Sequence, residues 1–280
     1  MTHYLIREPK SNELHEALIV LYRSFARIIP PDINNQVILL NTLINSNIAK
    51  FLIADKDKKI IGLGAIFIFQ EVCSIGYMAV LPEIRQKGIG TAIFTKLLNM
   101  AKTLGCKTFL LYASKFGEPI YHKFGFRSNY RTTVYELPNN LSKAKILGEN
   151  AKIINYFPEW AANIDSIAMG FDRHEFINVQ LSHGSKLIII DKAGYALISG
   201  QRLGPLIAKN LDTAVDLIRI GISLGANHMI VPKHSKIPNT LFNLVKLTER
   251  KDETNLKMTY GKNILQKLDY FYALGTYAKG

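Results

Sequence analysis

The sequence has few of the residues that would place it in a specialised class. Only two cysteines, Cys73 and Cys106, occur among 280 residues, and with no secretory signal they are not expected to form a disulfide framework. No apolar run approaches the about 18 residues that a membrane span needs, and the start lacks a charged segment followed by an apolar one. We therefore expect a cytoplasmic globular protein with no membrane partner.

The excess of basic residues is spread along the chain rather than concentrated. Residues 1–140 carry 17 Lys and Arg against 10 Asp and Glu, and residues 141–280 carry 18 against 12, within a net charge of +13. A nucleic-acid-binding protein usually concentrates positive charge on one face or arm. The even spread favours solubility or a small anionic ligand, and we expect no nucleic-acid partner.

The first half alternates between helical and strand patterns. Ser11 is a good helix cap before apolar residues at helical spacing, and apolar runs bounded by polar turns are typical of strands. The patterns predict helices at 11–25, 33–44, 91–104 and 119–123, and strands at 4–7, 50–54, 60–69, 72–80, 108–112 and 132–137. This order predicts an α/β domain with a mixed sheet over residues 1–138.

Residues 139–280 repeat part of this pattern. The segment 186–191 resembles 50–55, and Leu224-Gly225 before an apolar run resembles Leu104-Gly105. The offset between the copies falls from about 128 to 120 along the alignment, so about eight residues are missing from the second copy. They are missing where the turn 85–90 lies in the first copy. A chance similarity between two α/β units is the alternative.

The turn Arg85-Gln86-Lys87-Gly88-Ile89-Gly90 carries the strongest local signal. It joins a predicted strand to a predicted helix, where unpaired backbone N–H groups and the helix dipole favour an anion. Its glycines allow a phosphate to approach the backbone, and its two basic residues add positive charge. Two glycines before a helix also occur in ordinary tight turns, so the turn alone leaves both interpretations open.

A second motif makes the sequence similar to a known family. Arg85, Gly88 and Gly90 match the Arg/Gln-x-x-Gly-x-Gly/Ala segment of the GCN5-related N-acetyltransferase (GNAT) family, and 121–126, Tyr-His-Lys-Phe-Gly-Phe, matches the Tyr-x-x-x-Gly-Phe pattern that ends its domain. The resemblance covers roughly residues 3–137. Residues 139–280 resemble a degenerate GNAT-like domain, and the fold expected is two such domains in tandem.

The resemblance implies acetyl-CoA as the acetyl-donating cosubstrate and assigns roles to several residues. The pantetheine arm would pair with the strand end that holds Met78, Ala79 and Val80, a backbone N–H near Val80 would hold the oxyanion, and Tyr121 would protonate the leaving thiolate. The cofactor-binding residues implied are Met78, Ala79, Val80, Arg85, Gln86, Lys87, Gly88, Ile89, Gly90, Thr91, Ser114 and Tyr121.

Two positions depart from the family pattern. Ser114 stands where many members have an asparagine, and by counting, Ser74 stands where some have a glutamate as general base. Glu71 is the remaining candidate base and could act through water, although an exposed glutamate at a strand turn is the commoner explanation. His122 adjoins the tyrosine but is expected to face elsewhere on the helix.

The second half offers weaker signals. The charged run 172–175 could contact substrate or the first domain, or could be a solvated helix start. His228 and His234 show no metal-ligand spacing, so no metal is expected. The aromatic segment 270–277 is expected to be a strand of the core.

These observations favour an N-acetyltransferase that transfers acetyl from acetyl-CoA to a primary amine by direct attack. The acceptor is a small-molecule amine or a peptide, and the C-terminal domain would help to form its pocket or serve a structural role. The alternative is a non-catalytic module that senses acetyl-CoA or binds a partner, which Ser74 and Ser114 support. The identity of the acceptor and the oligomeric state stay open, because fold does not fix substrate.

Overall fold

The computed structural model describes residues 4–138, 151–234 and 240–278. The beginning of the second domain, expected at residue 139, lies outside these residues. By their contacts the described residues form two compact units, one ending at Leu111 and the other running from Tyr112 to Ala278.

The first unit is a mixed sheet covered by helices. Its strands are β1 (Leu5–Arg7), β2 (Ala49–Lys56), β3 (Lys59–Phe69), β4 (Val72–Val80) and β5 (Thr108–Ala113), the last of which continues into the second unit. Its helices are α1 (Leu14–Ser24), α2 (Ile33–Asn45) and α3 (Ile89–Thr103), with single 3-10 turns at Ser11–Glu13 and Pro82–Ile84. Neighbouring strands pair in chain order, antiparallel except for the parallel pair β4 and β5.

Alternating residues of β3 separate the two helices that cover it. Leu63 packs with Ala17 and Val20 of α1, whereas a side chain at Gly64 would collide with Leu97 of α3. Because successive strand residues face opposite sides of a sheet, α1 and α3 lie on opposite faces. The apolar stripes predicted from helical spacing are therefore the buried ones.

The second unit contains the remaining elements. Its helices are α4 (Glu118–Lys123), α5 (Glu159–Met169), α6 (His174–Ser182), α7 (Leu211–Ser223) and α8 (Thr240–Leu244). Its strands are β6 (Arg127–Glu136), β7 (Ala151–Ile154), β8 (Lys186–Ile190), β9 (Gly194–Ser199), β10 (Arg202–Ala208), β11 (His228–Lys233), β12 (Thr248–Gly261) and β13 (Phe271–Ala273), with a 3-10 turn at Leu268–Tyr270. The strand order is β12-β6-β11-β10-β9-β8-β7, and β13 pairs with β10.

Strand β6 links the first half of the sequence to the second. One of its edges pairs with β11 and the other with β12, both antiparallel. It begins at Arg127, five residues before the predicted start at 132, because long-range pairing to β12 extends it through the polar residues 127–131. Local pattern could not show this extension, since the stabilising partner lies more than 100 residues away in the chain.

Candidate functional site

Strand β4 leaves its neighbour β5 before it ends. The parallel pairing runs from Val72↔Thr108 to Ile75↔Leu111 and then stops, while β4 continues to Val80. Among the described residues of this unit, the segment from Gly76 to Val80 has no partner strand on that side. A β-bulge marks the divergence, with Tyr77 at a positive φ of 56° where the register with β3 shifts. The end of β4 can therefore accept an extended ligand as a further strand.

The three residues assigned to this strand end differ in exposure. Ala79 is buried, whereas Met78 and Val80 are partly exposed. The Met78 sulfur lies against Gly64, where an added Cβ would come within 2.6 Å of it. Gly64 thus leaves room for Met78 beneath the open strand end.

The turn after β4 leads directly to the first residue of α3. Eight residues separate Val80 from Ile89, and Gly88 forms the N-cap with a left-handed φ of 78°. No side chain caps this helix, so the N–H groups of its first turn have no side-chain partner. A Cβ at Gly88 would meet nothing within 4 Å, which shows that the space in front of the turn is open. This arrangement suits a bound phosphate.

Two basic side chains on the turn behave differently. The Arg85 guanidinium donates to two main-chain carbonyls, from Nε to Val80 O at 3.1 Å and from Nη2 to Ser24 O. Arg85 thus joins the end of α1 to the end of β4. Lys87 is exposed, as are Gln86 and Thr91. The sequence did not show that Arg85 has structural partners, because Ser24 is 61 residues away.

Tyr121 lies on α4 in the second unit and is 9% exposed. Its ring fits against Gly117, where a Cβ would lie 2.8 Å from Tyr121 Cε2, and its centroid is 6.2 Å from that of Phe126. Burial raises the pKa of Tyr121 well above its ordinary value. The phenol is protonated at neutral pH, as it also is at its ordinary pKa, and the raised pKa makes it a weaker acid.

The neighbours of Tyr121 have local roles. Ser114 is partly buried, and its carbonyl accepts from the N–H groups of Gly117 and Glu118 at 2.8 and 3.0 Å, at the start of α4. His122 is exposed, and its Nδ1 lies 3.1 Å from Phe126 O. As expected from its helix position, His122 faces away from the buried ring of Tyr121.

The structure places Glu71 far from the open end of β4. It occupies the turn before Val72, at the opposite end of the strand from Val80, and nine residues of strand span roughly 30 Å. Its carboxylate forms an ion pair with Lys107 while both side chains stay more than half exposed. Ser74 is fully buried within β4. Glu71 is therefore not placed to act as a base at the open end of β4.

The second copy replaces the open turn with a short, capped connection. Only two residues, Lys209 and Asn210, separate β10 from α7. The Asn210 side chain accepts a hydrogen bond from the Thr213 N–H at 2.9 Å, which satisfies one of the donors left open in α3. The connection is six residues shorter than that between β4 and α3, against the about eight predicted, and it is shorter at the predicted place.

The second copy also fills the place where its parallel strands diverge. Strand β10 pairs with β11 at Arg202 and Leu203 only, and beyond this point β13 pairs with β10. The Leu274 N–H donates to Ile230 O of β11 at 2.9 Å, so the C-terminal segment contacts both strands. The expected strand over 270–277 is confined to Phe271–Ala273.

The charged run 172–175 is neither wholly solvated nor wholly available to a substrate. The Arg173 guanidinium is fully buried and donates from Nε and Nη2 to the two oxygens of Asp165 at 2.9 and 2.8 Å. The Tyr195 hydroxyl also donates to Asp165. The Asp172 carboxylate accepts from the His174 N–H at 2.8 Å, just before α6 begins. Sequence analysis missed this buried cluster because Tyr195 is 30 residues from Asp165.

The described residues contain neither a metal-binding cluster nor a membrane-spanning helix. In the part of the chain that the structure describes, no group of three His, Cys, Asp or Glu side chains could hold a metal ion. Burial and the nearby charges of Arg202 and Arg250 lower the pKa of His228 to about 4. Within residues 4–138, 151–234 and 240–278, no helix has the length and apolar character needed to cross a membrane.

Comparison with known proteins agrees with the geometry in both halves. Two family models, each described as an acetyltransferase (GNAT) domain, match residues 25–136 and 161–273. The chain therefore belongs to the GNAT acetyltransferase family. It has a mixed α/β fold and two such domains in tandem.

Solved structures show the same arrangement. A presumed acetyltransferase from Pyrococcus horikoshii is 26% identical with a TM-score of 0.91, over 100% of this chain and 97% of that one. A tandem GNAT protein from the clavulanic acid biosynthesis pathway is 11% identical with a TM-score of 0.61, over 92% and 98%. A GCN5-related N-acetyltransferase from Kribbella flavida is 16% identical with a TM-score of 0.59, over 95% and 72%. No curated protein sequence matches the chain.

Proposed function

We propose that the protein is an N-acetyltransferase that transfers an acetyl group from acetyl-CoA to a primary amine. The observation that carries this proposal is the open end of β4, which runs into an uncapped helix start behind a left-handed Gly88. An extended pantetheine arm and a pyrophosphate need these two features next to each other. Family membership supports the same reaction class.

Each part of the cofactor has candidate partners in the first unit. The pantetheine amides would pair with the main chain of Met78, Ala79 and Val80, because this part of β4 lacks a β5 partner. The pyrophosphate would accept hydrogen bonds from the N–H groups of the turn and the first turn of α3. The turn residues proposed for this contact are Gln86, Lys87, Gly88, Ile89, Gly90 and Thr91.

Arg85 fits this proposal as a residue that shapes the turn. Two of its donors are engaged by Val80 O and Ser24 O, so its remaining N–H groups and its charge are what it can offer a phosphate. Ser114 stays a proposed cofactor contact on the resemblance alone.

The chemistry needs a neutral amine, a stabilised oxyanion and a protonated leaving group. Acetyl-CoA supplies the activated acetyl thioester. We assign the oxyanion contact to a main-chain N–H near Val80 and the proton donor to Tyr121, on the family resemblance of its position. We assign no side chain as the general base. Either water takes the proton from the amine, or the acceptor binds as the neutral amine.

Calorimetric titration with coenzyme A tests cofactor binding. We expect one molecule bound per chain, and no binding to the intact protein would overturn the proposal. In steady-state assays with an amine panel, Tyr121→Phe should lower kcat by about 100-fold with little change in coenzyme A affinity, as expected for loss of a general acid. Tyr156→Phe is the matched control, because Tyr156 is 59% exposed.

A non-catalytic acetyl-CoA sensor is the second candidate. The placement of Glu71 away from the open end of β4 and the burial of Ser74 favour it, since neither can serve as base there. Coenzyme A binding without acetylation of any amine in the panel would support the sensor. Acetyl transfer that Tyr121→Phe leaves unchanged would remove the role assigned to the tyrosine.

A further inference from the structure

Lys257 is a buried lysine whose amine lies among polar side chains. It lies on β12 and is 2% exposed. Its Nζ donates to Gln266 Oε1 and lies 4.9 Å from the centre of the Tyr130 ring. The Tyr130 hydroxyl is buried and has no hydrogen-bond partner among the described residues, and burial together with the nearby Tyr112 phenol raises its pKa. We call these four residues, Lys257, Gln266, Tyr130 and Tyr112, the Lys257 cluster.

The cluster has a cation but no anion. Among the residues that the structure describes, no Asp or Glu pairs with Lys257, and burial alone lowers its pKa to about 7. By contrast, the buried Arg173 has Asp165 as a bidentate partner. Buried charges are normally paired, because removal from water is otherwise costly. The Lys257 cluster therefore lacks a paired anion among the described residues, whereas Arg173 is paired with Asp165.

The cluster also contains an unsatisfied donor. The Gln266 Nε2 group is buried and has no hydrogen-bond partner among the described residues, although its Oε1 accepts from Lys257. The ammonium form of Lys257 offers three N–H donors, and each phenol can offer one. Three further titratable or charged groups act on these side chains: the His234 ring contacts Tyr130 edge-on, the Tyr277 ring contacts Tyr112, and Arg173 acts on Tyr112 through space. None of these adds an anion.

The polar atoms of the cluster lie just below the surface, since the Gln266 Nε2 group, the Tyr130 hydroxyl and the Lys257 amine are all buried. Tyr112, Tyr130 and Gln266 are each partly exposed, whereas Lys257 is not. A small group that reaches these three side chains would meet the amine behind them. A carboxylate has the charge and the acceptor lone pairs that the cluster lacks.

We propose that the Lys257 cluster binds the carboxylate group of a small molecule, with Lys257 as its counterion and Gln266 as a hydrogen-bond donor. All four residues of the cluster belong to the second unit. The ligand class is a small carboxylate, of which acetate is the simplest probe.

Binding should be accompanied by proton uptake. The Lys257 amine is close to half-protonated near pH 7 when the cluster is empty, and a bound carboxylate favours the ammonium form. Binding should therefore weaken above pH 7 and tighten below it, as long as the ligand stays ionised. Tyr112 and Tyr130 do not change this window, because burial raises the pKa of each phenol further from neutrality.

The test compares acetate with acetamide, which has nearly the same shape and no charge. Each is titrated into the full chain at constant ionic strength, with and without coenzyme A, and binding is followed by calorimetry in two buffers of different ionisation enthalpy. We expect acetate to bind at least tenfold more tightly than acetamide and to take up a fraction of a proton at pH 7. Equal affinities, or no acetate binding, would overturn the proposal.

Three variants locate the effect. Lys257→Met removes the cation, and Gln266→Glu supplies a carboxylate from the chain itself, so each should weaken acetate at least tenfold. Lys267→Met is the matched control, because Lys267 contacts Tyr270 in a similar way, with Nζ 4.2 Å from the ring centre, but is exposed. Acetate binding that survives both Lys257→Met and Gln266→Glu contradicts the proposal. If Lys257→Met does not fold, Gln266→Glu and the proton uptake decide.

Coenzyme A titration of the same variants separates this proposal from the proposed function. Lys257→Met should bind coenzyme A as the parent does. Acetate binding without coenzyme A binding would leave the carboxylate site in place and remove the acetyltransferase.

Discussion

The two strand-to-helix connections of this protein show how one fold can provide an open site and a closed one. In the first copy, eight residues with a left-handed Gly88 lead from β4 into an uncapped α3. In the second, two residues lead from β10 into α7, and the Asn210 side chain caps the helix. The N–H groups at the start of α3 face open space, whereas those at the start of α7 are partly satisfied by the Asn210 side chain.

The strands that precede these two connections also differ, because the end of one is unpaired on one side and the end of the other is paired. Strand β4 diverges from β5 at Ile75 and has no partner on that side among the described residues of its unit. Strand β10 diverges from β11 after Leu203, and β13 then pairs with it. The first copy thus has two local features, an uncapped turn and a strand end without a partner among the described residues of its unit. The second copy lacks both.

The largest effect is expected where β13 packs against β10. At Gly204, φ is 143° and a Cβ would lie 2.0 Å from Leu274 O, so Gly204→Ala must displace the segment that fills the divergence. We expect a loss of about 3 kcal/mol or more in the free energy of unfolding, measured by urea denaturation.

Gly200→Ala is the control for Gly204→Ala. Gly200 also has a positive φ, of 60°, but nothing lies near its missing Cβ. Its substitution should cost only about 1 kcal/mol. Equal losses at both positions would show that β13 is not tightly held against β10.

A smaller effect is expected at the lysines of the two connections. Lys87 and Lys209 are both exposed and occupy the turn of the first and second copy. Lys87→Met should weaken coenzyme A by about fivefold, as expected for loss of a solvent-screened contact to phosphate, whereas Lys209→Met should have no effect. Calorimetry gives both affinities, and a loss at Lys209 would mean that the second copy also takes the cofactor.

An effect as small as that of Lys87→Met concerns the cap itself. Asn210→Ala removes the acceptor for the Thr213 N–H and should lower the free energy of unfolding by about 1 kcal/mol in denaturant titrations. Asp216→Ala is the control on the same helix, because its contact with Arg219 is long, at 3.7 Å, and exposed, and we expect a change within about 0.5 kcal/mol. If both variants lose the same free energy of unfolding, the Asn210 cap does not stabilise the second connection.

The sequence was most informative where the signal is local. The turn 85–90, the strand 72–80 and the helix after it follow from glycines and apolar spacing, and the structure has them at or within two residues of the predicted bounds. The shortened second connection was also predictable, because a change of offset between two copies needs no knowledge of contacts. The family models confirm that both halves are GNAT domains.

The features that sequence analysis missed depend on distant partners. The segment Phe271–Ala273 fills the β10 divergence, and Arg85 contacts Ser24; both features join residues far apart in the sequence. The burial of Arg173 depends on its pairing with Asp165, which the sequence pattern does not show. Arg173 in a charged run resembles a surface residue until Asp165 is placed beside it. No sequence pattern marks Lys257 as buried, because only its surroundings in the fold distinguish it from an exposed strand lysine.

The double pairing of β6 has a consequence for the order in which the chain folds. Thr133 pairs with Val231 on one edge of β6 and with Thr254 on the other, so neither edge is covered until about 100 further residues have been synthesised. An uncovered strand is prone to pair with other chains, and contacts of such separation form slowly. If translation stalls within the second copy, strand β6 of the first copy therefore stays uncovered and prone to aggregation. Completion of one domain depends on translation of the other.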